Sequence, residues 1–183
     1  MRKWNAIISI LILVLFLVHG IAGCFQLIGW MPGGMQIPKL AAWLLIVLIF
    51  AHMGNGCVLT RDTLKALKAS KASYWKENRL FWIRRISGFA VMLLILIHMV
   101  QFMQVGNEVF RLNVYDIPQL ILQLLFIGSL VIHILCNIRP LFLSFGNKGR
   151  EAVTDIMLIL AGVLLFGAVA MIIYYFRWNV FWR

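Results

Sequence analysis

The chain has 183 residues, 63% of them hydrophobic, with a mean hydropathy of +0.94; a soluble domain of this size lacks the polar residues to cover so much apolar surface. Its net charge of +11 invites a nucleic-acid reading, but the basic residues are segregated between long uncharged runs, which argues for a membrane protein and no nucleic acid. The five uncharged runs are Trp4–Pro38, Leu40–Thr60, Ile86–Asn107, Ile117–Ile138 and Ile156–Phe176, each of at least 21 residues.

A helix of roughly 20 apolar residues crosses about 30 Å of hydrocarbon, and in lipid the backbone must satisfy its own hydrogen bonds, so runs of this length are helices. The expected fold is all-α and integral to the membrane: one domain over residues 1–183, a bundle of five transmembrane helices. Helix I is predicted at about residues 4–25. It contains Leu17–Phe25, "LVHGIAGCF", in which Ile21-Ala22-Gly23-Cys24 has the form of a bacterial lipoprotein cleavage box. Cleavage there would remove His19 and the first helix. The rest of the chain favours retention, with Cys24 a buried thiol.

A Gly/Pro-rich turn, "GWMPGGMQIPK", leads to helix II at about 38–60. The connection 61–85 is strongly basic; its Leu64–Lys68 portion has a short amphipathic pattern expected to lie at the interface, with Tyr74, Trp75 and Trp82 as anchors. Helix III is predicted at about 85–105, helix IV at 118–139 and helix V at 153–176, the last ending in the aromatic tail "FRWNVFWR". With the N-terminus inside, the inner segments Met1–Lys3, Arg61–Arg85 and Arg139–Asp155 carry 13 of the 17 Lys and Arg. The positive-inside rule then sets the N-terminus inside and the C-terminus outside. Part of the basic loop is a candidate contact for anionic lipid or an acidic partner. Cys24, Cys57 and Cys136 show neither metal-ligand spacing nor a disulfide framework.

The four histidines of the chain, His19, His52, His98 and His133, fall one in each of helices I to IV. An ionisable side chain within a span is costly and usually faces the bundle interior for a function. At 1.5 Å per residue, His19 and His98 lie roughly 20–22 Å from the inner end, and His52 and His133 roughly 21–22 Å from the outer end. Two same-depth pairs result. Two imidazoles at one depth on two helices suit bis-histidine ligation of haem b, an electron-transfer centre with both axial positions filled. Zinc would want three or four ligands at one point, and the spans carry none of the carboxylates that proton relays and cation transporters use. The expected cofactors are therefore two haem b, with His19 and His98 on the distal one and His52 and His133 on the proximal one.

Gly23, Gly56 and Ser129 lie four residues from a histidine and offer room beside a macrocycle, as does Gly20; ordinary small-residue helix packing is the alternative. Asn55, Arg85, Ser87, Asn137 and Arg139 cluster with Arg84 near the inner ends as candidates for haem propionates or a quinone. Gln26, Gln36, Gln101 and Gln104 are quinone candidates toward the outer side.

These residues resemble the cytochrome b membrane anchor of succinate:quinone oxidoreductases (succinate dehydrogenase and fumarate reductase), in its single-subunit, five-helix, two-haem form. The resemblance rests on helix number and on one histidine in each of the first four helices. Arg85-Ile86-Ser87-Gly88 matches an R-x-S-G motif, and His133–Arg139 resembles a His…Asn-Gly-x-Arg run without its Gly. It implies a bacterial cytoplasmic membrane location, menaquinone as the quinone, and two partners on the inner loops: a flavoprotein with covalent FAD and an iron–sulfur subunit. Dimerisation of the whole complex and the direction of the reaction stay open. Some fumarate-reducing members carry a glutamate two residues before the helix IV ligand; here that position is Val131. Two alternatives are a cytochrome b of the formate dehydrogenase or nitrate reductase kind, which usually places two ligand histidines on one helix, and a transporter or scaffold without haem.

Overall fold

The computed structural model describes residues 2–33, 35–70, 78–103, 114, 116–146 and 149–181. The described residues are helical throughout, apart from the turns. The helices are α1 (Arg2–Leu27), α2 (Gln36–Ser70), α3 (Arg79–Met103), α4 (Ile117–Ser144) and α5 (Arg150–Phe176), the last continued by a π-helical turn, Arg177–Phe181. All five are long and apolar enough to cross a membrane. Their outward faces carry bare hydrophobic side chains, among them Val47, Val100, Leu158 and Leu165, each at least 65% exposed. Apolar surface on that scale is what lipid, rather than water, covers.

Packing divides the bundle into two hairpins. Helix α1 packs on α2 and α3 on α4, while α5 fills the angle between α1 and α4. Among the described residues no packed interface joins α1 to α3 or α2 to α4. The tight core is therefore off-centre, where Cys24 and Leu27 of α1 and Ile127 of α4 meet Leu164, Ala170, Met171 and Tyr174 of α5. Small residues allow this approach, since lipid supplies no hydrophobic driving force between helices. A methyl at Gly167 would stand 3.6 Å from Ile127 Cδ1 and 3.8 Å from Cys24 Sγ. Cys24 is 4% exposed and unpaired, the buried thiol expected from the sequence.

The helix ends follow local chemistry. Helix α1 closes in a Schellman motif: Trp30 N–H donates to Phe25 O at 2.9 Å and Gly29 N–H to Gln26 O at 3.1 Å. Gly29 has φ +83°, which an L side chain adopts only at a cost. The accompanying apolar contact is Phe25 stacked on Trp30, with ring centroids 5.7 Å apart. Arg177 Nη1 donates to Ile28 O at 3.1 Å and ties the chain's last turn to this corner. Helix α4 opens with a capping box: Gln119 N–H donates to Asp116 Oδ1 and Asp116 N–H to Gln119 Oε1, both at 2.9 Å.

Three boundaries differ from the sequence reading. Helix α2 runs on to Ser70, so Leu64–Lys68 continues it instead of forming a separate interfacial piece. Charge does not end a helix, and the Leu, Ala, Lys and Arg of this stretch are strong helix formers. Helix α3 starts at Arg79, six residues early, and takes in Trp82; Tyr74 and Trp75 lie outside the described residues. Helix α4 passes through Pro140 to Ser144. Proline has no N–H to offer the carbonyl four residues back, and here that Cys136 carbonyl accepts instead from Arg84 Nε of α3 at 2.9 Å.

Candidate functional site

The gap between the two hairpins is a cavity of about 1600 Å³, lined by α1 to α4 with Val163, Leu164, Gly167 and Met171 of α5, and all four histidines line it. A cavity for one small molecule or cofactor is typically about 300–1,000 Å³, so this one has room for two.

At the end of the bundle where α1 finishes, His19 of α1 faces His98 of α3. Their ring centroids are 6.4 Å apart and their planes stand at 82°. His98 is held between Phe102 and Phe126, with centroids at 4.9 and 5.0 Å. Its Nδ1 lies 2.8 Å from Gln123 Oε1 of α4. An amide oxygen only accepts, so Nδ1 carries the proton and Nε2 the lone pair. His19 Nδ1 is buried with no hydrogen-bond partner, and the Pro38 backbone lies close enough to interact with the imidazole.

At the end where α1 begins, which is the basic end, His52 of α2 faces His133 of α4. The geometry is nearly the same: centroids 6.4 Å apart, planes at 86°. Ser9 Oγ lies 3.2 Å from His52 Nδ1, and Ser87 Oγ 3.2 Å from His133 Nδ1. Each hydroxyl gives its single proton to its own helix, Ser9 to Asn5 O at 2.8 Å and Ser87 to Arg84 O at 3.3 Å. The serine oxygens are thus left to accept from Nδ1–H, and the lone pair again sits on Nε2. A methyl at Gly88 would stand 3.0 Å from His133 Cε1 and 3.3 Å from Nδ1. A glycine at this position lets the ring lie flat against α3.

These contacts give the spacing of the two levels. Ser9 marks the His52 level on α1, ten residues before His19; Ser87 marks the His133 level on α3, eleven before His98; Gln123 marks the His98 level on α4, ten before His133. At 1.5 Å per residue all three rulers put the levels about 15–17 Å apart.

The residues fit a haem at each level on three counts. With a metal–nitrogen bond of about 2.0 Å and ~1.1 Å from ring nitrogen to ring centre, two imidazoles on opposite sides of one metal have centroids about 6 Å apart. Three of the four rings have Nδ1–H anchored and Nε2 free, the arrangement usual in metal-bound histidine. And among the described residues no three His, Cys, Asp or Glu side chains converge. A bare ion needs three or four protein ligands; two suit a metal that arrives with four nitrogens of its own.

Of the other residues singled out from the sequence, Arg85, Asn137 and Gln26 line the cavity. Arg85 lies over the Phe81 ring at 5.2 Å, 3.8 Å from the place of a Gly56 methyl, and its buried Nε makes no hydrogen bond. Asn137 Nδ2 donates to His133 O at 2.7 Å, and Gln26 Nε2 to Pro32 O at 3.2 Å. Ser87 meets the His133 ring and is not in the cavity wall. Asn55, Arg139, Gln36 and Gln101 are not in the cavity wall; Arg139 and Gln36 are exposed. Gln104 lies outside the described residues. Gly20, Gly23 and Gly56 line the cavity, and a methyl at Gly23 would meet nothing within 4 Å.

Ser9 and Gln123 are the two contacts that the sequence reading missed. The depth arithmetic contains the signal for both: Ser9 is five residues into the first span, level with His52, and Gln123 is five past Pro118, level with His98. Compared with protein-family models, curated proteins and solved structures, the chain matches none.

Proposed function

We propose that this chain is a dihaem cytochrome b that anchors a quinone-linked oxidoreductase in the membrane, of the succinate dehydrogenase or fumarate reductase kind. The observation that carries the reading is the pair of matched histidine couples, 6.4 Å between centroids in both, spanning the cavity between two hairpins. His19 and His98 would hold one haem, His52 and His133 the other. When bound, the two haems supply one-electron transfer between the membrane faces. Two histidine ligands to each haem would suit it to electron transfer rather than oxygen binding.

The chain's own contribution is to orient and to insulate. Ser9, Ser87 and Gln123 fix the ring tautomers; Phe102 and Phe126 hold His98 in place. Apolar side chains such as Leu13, Phe16, Met92 and Leu130 line the cavity and would keep the space between the levels apolar. Arg85, with Nε unsatisfied at the basic end of the cavity, is the best placed cation for a propionate carboxylate. By the positive-inside rule that end would face the cytoplasm, and the resemblance implies a bacterial inner membrane. There the iron–sulfur subunit, with its FAD-bearing flavoprotein, would dock on the basic α2 extension and the neighbouring loops. Menaquinone is the expected membrane substrate, and dicarboxylate chemistry belongs to the partner. The separate placement of each histidine on its own helix favours this family over the formate dehydrogenase and nitrate reductase kind.

Purified protein is expected to give a b-type reduced-minus-oxidised spectrum with two haems per chain by quantitation. A haem-free protein that folds normally would favour a transporter or scaffold and end this reading. Co-purification of a flavin- and iron–sulfur-containing complex tests the partner assignment separately.

A further inference from the structure

We infer that Gln123 is a positioning residue that tunes the electron donation of His98, an inference that rests on reading His19 and His98 as a ligand pair. Gln123 is 1% exposed and is, with Leu160, the largest fully buried side chain among the described residues. Burying an amide in an apolar span costs several kcal/mol unless its hydrogen bonds are made. Its oxygen makes one, with His98 Nδ1 at 2.8 Å, shorter than the 3.2 Å of either serine–histidine contact. The amide also arrives from α4, whereas the ring belongs to α3, so the contact locks the ring across a helix interface.

The four rings are therefore not equivalent. His52 meets a hydroxyl oxygen, His133 a hydroxyl oxygen and the Arg84 backbone, His98 a side-chain amide oxygen from a neighbouring helix, and His19 Nδ1 is buried without a hydrogen bond. A carbonyl that accepts from Nδ1–H pulls that proton away and makes Nε2 more basic. A more basic ligand favours the oxidised metal. Gln123 thereby lowers the reduction potential of the far-end centre through one of its two ligands and leaves the basic-end centre untouched.

The test is a redox titration of the full chain with both haems resolved, the far-end centre being the one lost in His19→Ala. Gln123→Met removes the acceptor at similar volume, and Gln123→Glu keeps an oxygen at that atom. In Gln123→Met the far-end potential is expected to move positive with the other unchanged; in Gln123→Glu it stays at or below the wild-type value. Ser87→Ala should move only the basic-end centre. Loss of the far-end haem in Gln123→Met with retention in Gln123→Glu also supports the assignment. Equal shifts at both centres, no shift in either variant, or loss of the far-end haem in both would overturn it. Wild-type protein without haem is a different result, which would overturn the ligand reading itself.

Discussion

Gly88 offers a sharp test because the space it leaves is so narrow. An alanine methyl would stand 3.0 Å from His133 Cε1, where ordinary contact begins at 3.4 Å. The ring must then retreat by about 0.4 Å, close to the roughly 0.5 Å within which a binding constellation must be held. Overpacking of this kind costs about 1–3 kcal/mol, and replacing a mid-helix Gly with Ala returns about 1 kcal/mol. The net is about 0–2 kcal/mol, and 1.4 kcal/mol is about tenfold in affinity. Gly88→Ala is therefore expected to weaken the basic-end haem site by up to about 30-fold. Gly88→Val, with two further methyls at the same place, is expected to empty it. The far-end site should keep its occupancy in both. Haem quantitation with redox-resolved spectra reads the effect, and Gly23→Ala, with nothing within 4 Å of its methyl, is the matched control. Full basic-end occupancy in Gly88→Val, or a loss confined to the far-end site, would refute the reasoning.

Two further outcomes concern stability. Arg84→Ala leaves the Cys136 carbonyl, already deprived of a partner by Pro140, without a donor, and is expected to destabilise by about 1–3 kcal/mol. Adding Pro140→Ala restores the missing N–H, so a double-mutant cycle in detergent should show the pair costing less than the sum of the singles; simple additivity would contradict the account. Gly29→Ala forces a side chain to φ +83° and crowds Arg177 Nη1; a loss of about 1–2 kcal/mol in thermal unfolding is expected, and an unchanged midpoint would count against the corner's role.

The spans were legible because charge marks the ends of membrane segments, and the histidine couples because a straight helix converts sequence distance into depth. Runs of 21 or more uncharged residues leave little choice of structure, and a fixed rise puts His19 level with His98 without knowledge of how the helices pack. The inner end of α2 was misread for the same reason: Arg61 marks where hydrocarbon stops, not where the helix stops. The contacts of the polar candidates were less legible, because a polar side chain near a helix end has local options that spacing does not weigh. Asn137 turns to the carbonyl one turn back and Gln26 to the adjoining corner. Ser9 and Gln123 went unread for the opposite reason. Their depth was calculable, but which helices adjoin is set by tertiary packing, and only that shows that α1 serves His52 and α4 serves His98.

The central claim is that four histidines act as two couples, and single His→Ala variants test it most directly. Haem content and reduced-minus-oxidised spectra would be recorded for all four. His19→Ala and His98→Ala are expected to abolish the same haem and leave the other; His52→Ala and His133→Ala are expected to abolish that other one. Four variants that each retain two haems, or losses that pair His19 with His52 or with His133, would contradict the account.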